Sequence, residues 1–506
     1  MTARLLWTTA LVLALPLAGC GDVESPPASD DVTAAAEVPM AMPVTTASDE
    51  ARDAFMEGMQ AFDMQRGIDA QAHFARAVEL DPDFALAHAM QANSASSLAQ
   101  FNESLDAAER AAAGASRAEQ LFIEMMRQGA DNNQEGALAT ARALTDEVPE
   151  SPRAWLALAN RQAGMNDHAA ARQSAGRALE LAPGMVTAHL QLANSYMFNT
   201  PVDLDQAAQH AQQAIDLAPT EPMPHDILGD VYRAQGRLEE ARDAYTEAAN
   251  HSRDDGSPYQ QRGHVNSFLG DFEAARADYD RSIEMARDNQ APSFGVYRAF
   301  VHVHAGDPEA AIEELRALAD EIDGMDIPEP TGLRIFALGS AARIALHHGM
   351  TDEAGALLTD WSALMRAQAE ATESEAFGRG QEAAIAYNEA LLAVERGDYA
   401  AAEAKAEEIT RLVEPDANPR KMEPVHEVRG MIALEQGNHA AAVEHLRQGN
   451  VENSIYVKYL LAQALEGAGE TEEAMSLYAD AASWNFNDVG GALTRRAAME
   501  KVEPRS

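Results

Sequence analysis

Cysteine is all but absent: the 506-residue chain has one, Cys20, so no disulfide can form within it. Lysine is nearly as scarce, occurring only at Lys405, Lys421, Lys458 and Lys501, and 38 basic residues face 81 acidic ones for a net charge of −43. A surface of that sign repels phosphate backbones and anionic headgroups, which removes nucleic acid from the partner classes. The acidic excess fits a solvated surface, an adaptation to high salt or a recognition device. Aromatic residues make up 6% of the chain although hydrophobic residues reach 46%. Much of the apolar content is alanine, whose small side chain lets helices approach closely in a stack. Past the amino terminus no apolar run is long enough to span a bilayer, so membrane attachment would have to come through a lipid.

The amino terminus does carry an apolar run. One positive charge at Arg4 precedes Leu5 to Leu17, and small residues then lead to Cys20, the layout of a secretory signal over residues 1–19. The segment Leu17-Ala18-Gly19-Cys20 resembles the lipobox of bacterial lipoproteins. That resemblance implies cleavage before Cys20, acylation of its thiol and a place in the cell envelope, periplasmic or at the outer membrane. Gly21 stands where an aspartate would imply retention at the inner membrane. Residues 20–48, rich in proline, alanine, serine, threonine and acids, bury too little apolar surface to fold alone and read as a disordered tether.

Beyond the tether a unit of about thirty-four residues recurs. Leu228, Gly229, Tyr232, Gly236, Ala241, Tyr245 and Ala248 are followed by Gly263, Gly270, Ala275 and Tyr279, and the glycines Gly236 and Gly270 lie thirty-four apart. A glycine at that place permits a tight turn between two helices. Ala171, Ala207, Ala241, Ala275, Ala311, Ala354, Ala402, Ala442 and Ala474 share one small position. Phe74, Tyr245, Tyr279, Leu315, Leu358, Leu446 and Tyr478 occupy the large apolar position four residues on, the same face of the same helix. Pro82, Pro183 and Pro219 close units.

On these residues the chain resembles the tetratricopeptide repeat family, and the stretch Ala77 to Ala87 is similar to exported bacterial members. The resemblance implies an all-α, right-handed superhelical solenoid of antiparallel helix pairs. Residues 100–148 are degenerate, although Ser116-Arg117-Ala118-Glu119 reads as a capping box and Pro149 closes a unit. Wider gaps after Gly306, with Asp320 to Gly332 and Ala369 to Gly380 as loops or offset helices, predict two arrays, residues 49–320 and 321–487. Residues 488–506 read as a polar capping helix and tail.

Signs of catalysis are weak. His302 and His304 project to different helix faces, His347 and His348 are adjacent, and His426-Glu427 lacks the second histidine of a zinc motif, so no metal set is predicted. Gly378-Arg379-Gly380-Gln381-Glu382-Ala383 matches a dinucleotide pattern but follows no strand, and reads as a helix start. Met56, Met59 and Met64 fall at helical spacing as core filling.

Aligning the units places Asn93, Asn160 and Asn194 at one position, which the resemblance assigns to the concave groove; Asp230 and His264, then Phe300 and Arg343, follow there. Amides both donate and accept, so a row of them can hold extended backbone of any sequence. Ala89, Leu156 and Leu190 stand where family members that clamp a terminal carboxylate carry lysine, which excludes that clamp. The expected function is a non-enzymatic protein–protein interaction scaffold or adaptor of the bacterial cell envelope. It would bind a polypeptide segment at Asn93, Asn160, Asn194, Asp230 and His264 without cofactor or metal, with Cys20 as its lipid anchor. A regulatory subunit modulating an envelope hydrolase or assembly complex is the second reading.

Overall fold

The structure, a computed structural model, describes residues 38–502 except 96, 253–254, 287–289, 326, 328–329 and 373. Cys20, the signal segment and most of the expected tether lie outside the described residues. Among those described, every α or β element is helical. The first twelve helices are α1 Asp49–Asp63, α2 Gly67–Leu80, α3 Ala85–Asn93, α4 Leu98–Ala111, α5 Arg117–Ala130, α6 Gln134–Glu147, α7 Pro152–Gly164, α8 His168–Leu181, α9 Val186–Phe198, α10 Leu204–Leu217, α11 Pro222–Ala234 and α12 Leu238–His251. There follow α13 Ser257–Leu269, α14 Phe272–Met285, α15 Gln290–Ala305, α16 Pro308–Asp323, α17 Pro330–His347, α18 Thr351–Thr372, α19 Glu375–Glu395, α20 Tyr399–Val413, α21 Glu423–Glu435, α22 His439–Leu446, α23 Ile455–Ala468, α24 Thr471–Ala482 and α25 Val489–Val502.

From α1 to α10 and from α13 to α24 each odd-numbered helix packs against the next as a hairpin, and the turn between them explains why. Gly236, Gly270, Gly306, Gly349, Gly397, Gly437 and Gly469 all have positive φ, a conformation open to glycine at no steric cost. Asp271, Asp307, Asp398 and Asn438 directly follow four of them and cap the next helix through their side chains. In the first repeats the left-handed place is held by Gln65 (φ 63°), Asn132 (φ 58°) and Asn166 (φ 60°) instead. Asparagine tolerates this region, whereas glutamine has no such compensation. Gln65→Gly is therefore expected to raise stability by about 0.5–1 kcal/mol, read as a higher urea midpoint. A lower midpoint would show that the Gln65 side chain contributes more than its backbone strain costs.

The repeat register is written in the core. All nine aligned alanines are buried, as are Phe74, Tyr245, Tyr279, Leu315, Leu358, Leu446 and Tyr478. At the crossing of the paired helices a glycine faces the large residue sixteen positions later. A Cβ at Gly58, Gly229 or Gly430 would sit 2.6 Å from Phe74, Tyr245 or Leu446 respectively. Nothing larger than glycine fits there without displacing the partner. Met59 is buried and Met56 packs beside it in the same apolar cluster, so these methionines fill core.

The chain divides into two compact units at α12: residues 38–235 with 243–252, and residues 236–242 with 253–502. The break expected at residue 320 is not there. Leu315 of α16, Ala341 of α17 and Leu358 of α18 belong to one apolar cluster that continues to Ala498. The wider gaps reflect longer helices rather than a boundary: α18 spans 22 residues and α19 spans 21, and Gly378 to Ala383 form part of α19's opening turns. In the first unit the α1–α2 turn reaches far in sequence. Asp63 meets Arg153 of α7 through two hydrogen bonds of 2.7 and 2.6 Å, Arg66 bonds Glu221 at the start of α11, and Met64 packs on the cluster of Val186 and Leu190.

Two terminal segments also depart from expectation. Residues 38–48 belong to the folded body, so the expected tether stops short of Ser48. Helix α25 is no polar cap: Gly490 to Arg495 and Ala498 are buried, and the helix touches α15, α17, α23 and α24. Gly490 and Gly491 permit this approach, since a Cβ on Gly491 would lie 2.7 Å from the Trp484 ring. Among the described residues no helix is long and apolar enough to cross a membrane.

Candidate peptide-binding surfaces

In the first unit a non-helical segment of the chain itself, residues 38–48, lies against the helices, turning at Ala41 (φ 42°). Its burial alternates residue by residue: Val38, Met40, Met42 and Val44 turn inward while Pro39, Ala41 and Pro43 face out. Met42 is buried with Phe55, Phe74 and Phe84, and Val38 packs against Ala178, Ala182 and Met185. Polar groups then hold the end of the strap. Thr45 donates to Glu119 from its amide at 2.7 Å and from its hydroxyl at 2.6 Å, and Thr46 donates to Asp81. Glu119 also accepts from Ser116 N at 2.7 Å, closing the expected capping box, so this fully buried carboxylate joins a helix start to the strap. The Thr46 hydroxyl holds the Asp81 carboxyl below its ordinary range.

The predicted groove residues separate into two classes. Asn93, Asn160 and Asn194 are each the ninth residue of their helices, α3, α7 and α9. Asn93 and Asn160 are exposed and Asn194 half-buried, and none of the three amides has a hydrogen-bond partner among the described residues. Asp230, ninth in α11, is occupied: it accepts from Arg233 at 2.8 Å and from the Tyr245 hydroxyl at 2.7 Å. The later positions are not a free groove either. His264 is 5% exposed and Phe300 is fully buried in the core.

What covers His264 is another segment of the same chain. The loop between α24 and α25 brings in Asn487, whose amide nitrogen lies 3.0 Å from His264 Nδ1 and 2.9 Å from the Tyr279 hydroxyl. The amide oxygen accepts from His304 Nε2 at 3.1 Å. Burial pushes the His304 imidazole down to about 4, so at neutral pH it is uncharged and offers the Nε2 proton this bond requires. Arg495 anchors the rest, donating to the Trp484 carbonyl at 2.7 Å with its guanidinium over the Phe268 ring at 4.9 Å. The second unit thus reads a side-chain amide on a non-helical segment with groups from α13, α14 and α15.

Other histidines are engaged with neighbouring side chains or carbonyls. His302 meets Glu314 at 3.1 Å, His347 meets the Tyr456 hydroxyl at 3.0 Å, and His426 Nδ1 lies 3.2 Å from His445 Nδ1. His88, His189 and His225 each place Nε2 near the carbonyl of the preceding repeat-closing proline, at 2.9, 3.2 and 2.9 Å. Among the described residues no cluster of three or more metal-ligating side chains forms. Sequence periodicity could not single out Asn487 or Arg495, whose partners lie outside the repeat pattern, and the capping box marked Glu119 without its bonds to Thr45. The alternation of Val38, Met40, Met42 and Val44 was the one legible sign that residues 38–48 dock.

Comparison with known proteins agrees with this architecture. A family described as tetratricopeptide repeat-like domain matches residues 107–261, and tetratricopeptide repeat families match residues 257–289 and 387–455. No curated protein matches the sequence. Among solved structures, a tetratricopeptide repeat protein from Parabacteroides merdae is 18% identical, covering 55% of this chain and 98% of its own at a TM-score of 0.37. A thermophilic tetratricopeptide protein of Thermus thermophilus is 18% identical over 36% of this chain and 98% of its own, TM-score 0.30. PilF of Pseudomonas aeruginosa is 16% identical over 41% of this chain and 93% of its own, TM-score 0.34. The chain is an all-α solenoid carrying tetratricopeptide repeats.

Proposed function

We propose that the protein is a non-enzymatic interaction scaffold that holds an extended segment of another polypeptide along the first unit, at Asn93, Asn160 and Asn194. The supporting observation is a contrast between equivalent positions. His264, in the second unit, is covered by a segment of the same chain whose amide it meets, while the three asparagines have no hydrogen-bond partner among the described residues. Unbonded amides at repeated helix positions, two exposed and one half-buried, suit main-chain recognition, because each can donate to a carbonyl and accept from an N–H. The strap at residues 38–48 supplies a precedent within the chain, a non-helical segment held by inward-facing alternate residues and a few polar bonds. Asp230 and His264 drop out of the proposed contact set, since their polar groups are taken.

Changing Asn160 and Asn194 together to alanine is expected to weaken capture of the partner at least about tenfold, the loss of two or more hydrogen bonds. The partner itself would be identified by crosslinking in intact cells and mass spectrometry of the purified complex. Undiminished capture by the double variant would move the binding site elsewhere. We further propose that the scaffold works in the bacterial cell envelope, attached by acylation of Cys20. Metabolic labelling with a fatty-acid analogue is expected to mark the wild-type protein and not Cys20→Ser, and labelling that survives the change would remove the anchor.

A further inference from the structure

The second unit contains an open cleft of about 410 Å³ lined by residues of α17, α18, α19, α23 and the start of α25. Its walls are largely apolar, with Ile335, Phe336, Trp361 and Ile455 among them, and Arg343, Asn388 and Tyr456 converge on it. That volume accommodates a small organic molecule or a residue or two of peptide. Arg343 is the one basic residue among the lining side chains. Arg153, Arg262, Arg298 and Arg429 each bind a carboxylate directly, as expected where acids outnumber bases. Arg343, like Arg161, Arg172 and Arg495, has no carboxylate at ion-pair distance among the described residues. Its guanidinium lies over the Tyr456 ring at 4.5 Å and 6.0 Å from the Tyr387 ring.

The surrounding carboxyls are committed elsewhere. Glu427 acts on Arg343 across space and through Tyr387, whose hydroxyl donates to it at 2.7 Å, without bonding the guanidinium, and it also accepts the Asn450 amide at 2.9 Å. Asp488 lines the cleft, but its oxygens accept from Gly491 N at 2.7 Å and from Trp484 Nε1 at 2.8 Å. The half-buried Arg343 guanidinium is packed on aromatic rings with no carboxylate bonded to its fork, which leaves the fork able to take one from outside the chain. Its planar fork matches a carboxylate, which could accept two parallel hydrogen bonds while an apolar body fills the space beside Phe336 and Trp361.

We infer that this cleft is a second binding site, taking a carboxylate carried on a small aromatic or branched apolar group, with Arg343 as the anion receptor. The carboxylate belongs either to a free organic acid or to the terminus of a peptide. The site is separate from the asparagine row and does not depend on it.

The test uses the full-length protein in detergent, with calorimetric titration and tryptophan fluorescence, since Trp361 lines the site. Phenylacetate is expected to bind saturably, and phenylacetamide, isosteric but uncharged, at least about tenfold more weakly. Inorganic phosphate is expected not to compete. The tripeptide Gly-Gly-Phe with a free carboxyl terminus and its amidated form are measured in parallel. If the free tripeptide binds more tightly than phenylacetate the ligand is a chain terminus, and the reverse order identifies a free acid. Arg343→Gln is expected to abolish the preference for acid over amide, Arg343→Lys to retain part of it, and Ser340→Leu to exclude both by filling the cleft. Should Arg343→Gln fail to fold, the acid-to-amide ratio on the unaltered protein still decides. Equal affinity for acid and amide, binding of phosphate as tight as that of phenylacetate, or no saturation by any probe at about 10 mM overturns the assignment.

Discussion

Arg153→Ala is expected to destabilise the first unit by about 3–5 kcal/mol, because it strands the Asp63 carboxylate in a site closed to water. The two side chains are only 12% and 10% exposed and meet through a two-point bond. The pair joins the α1–α2 turn to α7, ninety residues away, so the loss falls on long-range order rather than on either hairpin alone. Urea unfolding followed by circular dichroism should show the lower-stability transition shifted with an unchanged slope. The double change Asp63→Ala with Arg153→Ala removes the orphaned charge and is expected to recover part of the loss. A single-variant cost below about 1 kcal/mol would place the pair with ordinary surface bridges and dismiss its role.

Mild acid is expected to have the second large effect, on the second unit. Burial pushes the imidazoles of His304 and His347 down to about 4 each, the latter aided by His348 and Arg343 nearby. Between pH 6.5 and 4 the unfolded chain therefore takes up protons that the folded unit refuses. Stability is fully present above about pH 6.5 and falls as the pH drops toward 4, by about 3 kcal/mol for each histidine at the lower end. Glu395 and Glu427 act in the opposite sense, since burial pushes their carboxyls up and the folded state then binds the extra proton. The net slope should remain positive with pH and should flatten when His304 and His347 are both changed to glutamine. His304→Gln still offers a donor to Asn487, which separates proton uptake from loss of the hydrogen bond. Stability of the second unit that stays constant from pH 7 to pH 4.5 would sink this account.

The acid effect reaches the self-bound segment as well. Protonating His304 places a second positive charge near Arg495 in the contact that receives Asn487, the region where α25 packs against α15. Loosening of α24–α25 should precede global unfolding in hydrogen exchange.

Much of the fold was legible from local rules. A turn glycine, an alanine five residues on and a large residue four beyond that recur because two helices can meet closely only where one side is small, and the buried ladder from Ala171 to Ala474 follows from that requirement. Where spacing widened the inference failed. The residues around 320 and 370 extend or begin long helices, and α16, α17 and α18 share one core. Length between markers cannot distinguish a longer helix from a break, since both keep the same periodicity on either side.

The candidate site divides along the same line. Helical register alone placed Asn93, Asn160, Asn194, Asp230 and His264 at equivalent positions, because that depends on neighbours three to sixteen residues away. Which of them remain open depended on contacts between residues far apart in the chain. Tyr245 takes Asp230 from the next helix, while Asn487 covers His264 from 223 residues downstream. Arg343 stands in the repeat pattern at a groove position, yet its lack of a bonded carboxylate is a property of the cleft that α17, α19, α23 and α25 build together. Repeat sequence determines the helix pairs, because their packing is local; occupancy and charge balance are decided only when distant segments meet, because burial and electrostatics sum over everything nearby in space.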